Sequence, residues 1–127
     1  MSNRRVLRIG IAPREYIKQR TIAIARGQPL GRDEPKHWVT SLDALARVLS
    51  EKNMILIEMI RESQPESVTE LAELSGRAKS NLSRTLRTME SIGLVELRDA
   101  EGGRKVPVVA YDTLRVDYPL SRLDGAA

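Results

Sequence analysis

Apolar residues alternate with others in Val6-Leu7-Arg8-Ile9-Gly10-Ile11. That period of two predicts a strand with Leu7, Ile9 and Ile11 on one face. Pro13 follows where a helix can begin, since its missing N–H is not needed there. The period then lengthens over 14–26, placing Ile17, Thr21, Ile24 and Ala25 on one helical stripe, and Gly27 stops it. Residues 27–36 are rich in Gly, Pro and charge and have the composition of a linker.

Beyond the linker the pattern is helical again. Ser41 is a suitable N-cap for a helix over 42–49, with Leu42, Leu45, Ala46 and Leu49 on one face. Ser50 caps a second helix over 51–63. Its inward stripe is Ile55, Leu56, Met59 and Ile60. Met54 and Ile57 fall on the opposite side, so this helix is apolar nearly all round and must be buried on two sides. Pro65 breaks the chain, and Ser67-Val68-Thr69-Glu70 forms a capping box. The short helix 68–75 buries Val68, Leu71 and Ala72, with Leu74 a further candidate, and ends at Gly76. A longer helix over 79–92 has Leu82, Leu86 and Met89 as its core face and stops at Gly93. Residues 94–98 and 104–111 alternate as strands around the turn Ala100-Glu101-Gly102-Gly103, and Pro107 confines the second to an edge. Residues 114–118 make a last short strand, and 121–127 form a disordered tail.

Helix, helix, tight glycine turn, longer helix and glycine-tipped hairpin is the layout of a winged helix-turn-helix. The fold class expected is mainly α with a small β wing (α+β), preceded by an N-terminal strand-helix arm. The arm is residues 1–34, the winged domain 35–120 and the tail 121–127.

In such a fold the long helix leaves one face free for the major groove. At about 100° per residue, Ser80, Arg84, Arg87 and Ser91 lie opposite the core stripe. Arg77, Asn81 and Thr88 flank them on one side, Lys79 and Ser83 on the other, and no acid precedes Glu90. Arg can bind guanine in bidentate fashion and Asn can do so with adenine, whereas Lys79 and the hydroxyls suit phosphates. At the wing tip Arg104 and Lys105 adjoin the flexible Gly102-Gly103, next to the acids Asp99 and Glu101. Arginine on a wing suits a minor groove, where the potential is most negative.

Composition narrows the classes. The chain has 127 residues, 41% hydrophobic and 30% charged, as a soluble globular domain would. It has no cysteine, which excludes disulfides and thiolate metal sites. The longest apolar run, Met54–Ile57, is one helical turn, and no hydrophobic signal region follows Met1. A cytoplasmic protein without membrane contact is expected. Net charge is only +4, but its distribution is uneven. Arg4, Arg5, Arg8, Arg14, Lys18, Arg20 and Arg26 face the single acid Glu15 in residues 1–26, and Arg77, Lys79, Arg84 and Arg87 dominate 77–91. Between them lie Glu58, Glu62, Glu66, Glu70 and Glu73.

No nucleophile-base pair or acid cluster is evident, so no enzyme, cofactor or metal is expected. The lone His37 lacks companion ligands, and Trp38 is expected to anchor the core at the start of the 42–49 helix. Gly102-Gly103 precedes no helix and is a turn rather than a phosphate loop.

The stretch Ser67-Val68-Thr69-Glu70-Leu71-Ala72-Glu73-Leu74-Ser75-Gly76-Arg77-Ala78-Lys79-Ser80-Asn81-Leu82-Ser83-Arg84-Thr85-Leu86, followed by Gly93-Leu94-Val95, is similar to MarR-type winged helix-turn-helix regulators over roughly 50–112. Ala78 departs from that pattern, which usually has a capping Asp or Ser there. Residues 17–27 and Pro35-Lys36-His37-Trp38-Val39-Thr40-Ser41-Leu42 also resemble small prokaryotic DNA-binding antitoxins of the TumE–TumA type. That resemblance implies a regulator of its own operon that also binds a partner toxin. A MarR-like regulator without toxin partner, a protein-interaction module and an RNA-binding module are the alternatives. RNA readers rely on exposed aromatics, which are scarce here: no Phe, one Trp and three Tyr.

Two half-sites need a fixed spacing, so a homodimer is expected, held by the N-terminal third. Ile17 and Ile24 are the candidates to cover Met54 and Ile57, in the same or the other chain, and 7–9 and 114–116 have alternation that would let them pair as strands.

Overall fold

The computed structural model describes residues 5–32 and 34–121. Arg4 and the tail beyond Ser121 lie outside the described residues. Strand β1 (Val6–Ile11) buries Leu7, Ile9 and Ile11, as the alternation requires. Helix α1 (Arg14–Ala25) follows, with Pro13 at its N-cap, and β2 (His37–Val39) then runs parallel to β1. No strand is expected at 37–39, because three residues carry no readable period. Strand β5 (Thr113–Asp117) lies parallel to β1 on its other side, in the register Leu7↔Leu114, Arg8↔Arg115, Ile9↔Val116. The pairing that the alternation suggested therefore forms, with β1 in the middle of a sheet β2-β1-β5. Residues of the arm and of the winged domain share this sheet.

The helices α2 (Leu42–Val48), α3 (Glu51–Ser63), α4 (Val68–Ser75) and α5 (Lys79–Ser91) pack with the sheet around one core. Ser41 and Ser50 cap as expected: each side chain accepts an N–H, from Ala44 at 3.1 Å and from Asn53 at 3.3 Å. The inward faces differ from the expected ones in two helices. In α2, Leu45 is buried and Val48 and Leu49 are partly so, whereas Leu42 and Ala46 are exposed. In α3, Leu56, Ile57 and Ile60 are buried, while Ile55 is 56% exposed. Burying an Ile is worth about 1.5–3 kcal/mol, so whichever side the rest of the chain covers decides the outcome. Here the sheet covers the Ile57 side: Leu7 and Leu114 line the same cavity, about 610 Å³, as Met54 and Ile57.

Within one chain, then, the sheet and not the Ile17/Ile24 stripe covers Ile57. Ile57 lies in the core of its own chain, and Met54 stays 45% exposed at the cavity edge. Helix α1 has no buried residue, and Ile17 and Ile24 are only half-buried. It is tied down by other means. Tyr16 meets Trp38 edge-on, ring centroids 5.6 Å apart, and Trp38 lies over Gly10, where any Cβ would stand 2.4 Å from its ring. Trp38 thus anchors the outer face of the sheet rather than α2.

The stretch read as a linker is also fastened. Arg20 forms a bidentate pair with Glu34 and donates to Gln28 Oε1 (3.2 Å) and to the Pro29 carbonyl (3.0 Å). The Arg20 hydrogen bonds hold the Glu34 carboxyl below its usual range, and Glu34 raises Arg20 in turn.

Candidate nucleic-acid interface

The chain leaves α3 through Gln64 in a left-handed conformation, followed by buried Pro65. Ser67 Oγ accepts the Glu70 N–H at 3.0 Å. The Glu70 carboxylate reaches back to the Glu66 N–H, at 3.4 Å, one residue before the cap. Helix α4 buries Val68 and Leu71, and Leu74 is exposed. Gly76, at φ 71°, closes it with its N–H on the Ala72 carbonyl. Only the turn 76–78 separates α4 from α5, so α5 starts crossing α4 at once. Leu82, Leu86 and Met89 are wholly buried, and this single apolar stripe fixes which face of α5 points outward.

On that outward face Lys79, Ser80, Asn81, Arg84 and Arg87 are exposed and Ser83 is half-buried. Lys79, Arg84 and Arg87 have no acidic partner among the described residues. Glu90, the acid of this helix, is turned toward the wing, where its carboxylate accepts the Leu97 N–H at 3.4 Å. Two hydroxyls are already engaged: Thr88 Oγ1 donates to the Arg84 carbonyl and Ser91 Oγ to the Thr88 carbonyl, at 3.2 and 2.6 Å. Ser80 and Ser83 are the ones left to meet a ligand.

Arg77 has a different place. Its Nη1 donates to Asn53 Oδ1 (3.2 Å) and its Nη2 to the Lys52 carbonyl (2.9 Å), both on α3. Hydrogen bonds from a charged donor contribute about 1.5–3 kcal/mol, which Arg77 would forfeit on swinging to DNA. It positions the turn. Asn53, whose side-chain amide also donates to the Val48 carbonyl at 3.1 Å, is the hub of this arrangement. Nothing in the sequence marks it, since its side-chain partners lie elsewhere, Val48 on α2 and Arg77 in the turn before α5.

The wing is the antiparallel pair β3 (Glu96–Asp99) and β4 (Lys105–Val108), joined by a 3-10 turn at Glu101–Gly103. Arg104 Nε donates to the Glu101 carbonyl at 3.0 Å, and Lys105 pairs with Asp99. That pair is exposed, and such pairs are worth about 0–1 kcal/mol, so a phosphate competes readily for Lys105. Glu96 and Arg98 pair along the same strand, which lowers the first and raises the second. Lys105 lines one cleft with Ser83 and Arg87, so helix face and wing meet there.

Helix α5 has no side-chain cap: Ala78 sits in the extended conformation of a cap residue but offers no acceptor. Ala78→Asp should therefore raise the unfolding free energy by about 1 kcal/mol. Chemical denaturation of the variant beside wild type checks this, and an unchanged midpoint would mean that the first turn of α5 gains nothing from a cap.

The fold and this face define a winged helix-turn-helix protein. The chain belongs to the HVO_A0114 family, whose model matches residues 48–116, more than half of its length. It is also similar to a solved E. coli structure described as a "predicted DNA-binding transcriptional regulator", with a TM-score of 0.46 and 24% sequence identity over 55% of this chain and 74% of that one. No curated protein matches the chain.

Proposed function

We propose that the protein is a transcriptional regulator that binds double-stranded DNA, with α5 in the major groove and the β3–β4 wing on the adjacent backbone. The observation that carries this is the outward face of α5: Lys79, Arg84 and Arg87 exposed with no acidic partner among the described residues, around the small side chains Ser80 and Ser83. Arg84 and Asn81 read base edges, helped by Ser80, and Lys79, Ser83 and Arg87 hold phosphates. Arg104 and Lys105 add non-specific backbone contacts.

The aromatic inventory favours duplex DNA over single-stranded RNA. Tyr16 and Trp38 are spent on each other and Tyr111 lies under Arg5, at 6.0 Å, which leaves Tyr118 as the exposed ring. A stacking platform needs several.

The protein acts as a homodimer on two half-sites. It also serves as an autoregulating antitoxin whose partner protein docks on α1. Support for that role is the antitoxin-like sequence of residues 17–27 and 35–42 and the exposed Ile22 beside half-buried Ile17 and Ile24.

Replacing Arg104 and Lys105 together by Ala should weaken binding on all duplex sequences about equally. It should flatten the slope of log affinity against log salt by roughly 0.9 for each phosphate no longer neutralised. An unchanged slope would mean that the wing does not touch DNA.

A further inference from the structure

Parallel sheets are ordinarily covered on both faces and at their edges. This one is not. Strand β5 pairs with β1 on one side and with nothing among the described residues on the other. Its outer edge spans five residues, against three at the β2 edge, and Val116 and Tyr118 are 39% and 54% exposed there.

We infer that two copies of this chain join through β5, antiparallel about a twofold axis at Val116, to make one six-stranded sheet. The interface deepens the dimeric part of the proposed function, and its test contains no DNA, so its failure would leave DNA binding untouched.

Backbone direction comes first. The Thr113 N–H donates to the Arg5 carbonyl next to β1. By the period of two, Thr113, Arg115 and Asp117 turn their backbone groups toward β1, and Leu114 and Val116 turn theirs outward. A twofold axis at Val116 therefore makes Val116 a hydrogen-bonded pair with Val116 of the partner subunit, both N–H and both carbonyl groups being available.

Charge then selects the register. With the axis at Val116, Arg115 stands opposite Asp117 of the partner subunit, and the reciprocal pair forms on the other side of the axis. Leu114 stands opposite Tyr118 of the partner subunit, on the face that carries Val116. A shift of the axis by one residue sets Arg115 against its own copy, or Asp117 against its own copy, and like charges directly opposed destabilise a sheet. Arg115 also needs the partner's acid. It lies beside Arg8 in the β1–β5 register and has no acidic partner among the described residues, whereas Asp117 already pairs with Arg8 at 3.5 Å. An isologous interface of this kind is closed, so it gives dimers and not filaments.

Sedimentation of the full chain over a concentration series tests the idea. Wild-type protein should dimerise. Arg115→Asp and Asp117→Arg should each raise the dimer dissociation constant at least tenfold, since each sets like charges against one another at both pairs. An equimolar mixture of the two variants should restore the dimer as a heterodimer with both pairs complementary. The double variant Arg115→Asp/Asp117→Arg should dimerise with itself, and its new acid stands beside Arg8, so it keeps the chain folded even where a single variant fails. A monomeric wild-type chain, single variants that dimerise as well as wild type, or failure of both the mixture and the double variant to restore the dimer would each overturn the proposal.

Discussion

Arg84→Ala should weaken binding to a mapped operator by about 1–3 kcal/mol, roughly five- to 150-fold, and should relax the base preference at one position. The size follows from what the guanidinium does. It projects from the middle of α5, opposite the wholly buried Leu82 and Leu86, with no ion pair to give up among the described residues. A bidentate contact with a guanine edge would then be made without a competing loss, unlike one from Arg77, which is hydrogen-bonded to α3. The measurement is a gel-shift series on the operator and on a random duplex. Loss confined to the operator supports base reading; equal loss on both would make Arg84 a phosphate contact.

The second large effect concerns the fold that aims α5. Gly93 ends the helix at φ 86°, a conformation that costs an L-residue about 1–2 kcal/mol. A Cβ there would also stand 2.7 Å from His37 Nε2, on the half-buried strand β2. Gly93→Ala should thus lower the unfolding free energy by about 2–4 kcal/mol, large against the ordinary spread of point substitutions. Removing the imidazole separates the two causes. In the background His37→Ala the same change should cost only the conformational part, and the double-mutant cycle should show coupling of about 1 kcal/mol or more. Additive costs from denaturant unfolding would mean that His37 moves aside freely. The lone histidine, which the sequence offers no chemistry for, would then lose this steric role too.

Much of the winged part was legible because its signals are local. Ser67 with Glu70, Gly76 and the stripe Leu82, Leu86, Met89 each act within one or two turns, and they set α4, the turn and the outward face of α5. What could not be read depends on distant partners. Met54, Ile55 and Ile57 surround α3 with apolar side chains, and period alone does not tell which side a sheet will cover. The composition of 27–36 says linker, and only the meeting of Arg20 with Glu34 makes it a fastened loop. Alternation in 6–11 and 114–118 suggests strands, yet not that they run parallel with β1 in the centre. At the candidate interface, exposure and unpaired charge on α5 followed from the helical period. The withdrawal of Arg77, Thr88 and Ser91 into the protein's own hydrogen bonds did not.

Whether the cations of α5 meet a duplex is decided by titrating the full chain against a labelled DNA duplex and a single-stranded RNA of equal length, between about 50 mM and 200 mM salt. Binding should be tighter to the duplex, with log affinity falling linearly against log salt. In the variant with Lys79, Arg84 and Arg87 all replaced by Ala, that slope should flatten by roughly 0.9 for each phosphate no longer neutralised. Equal affinity and equal slope for wild type and variant, or preference for the single-stranded RNA, would overturn the assignment of α5 to DNA.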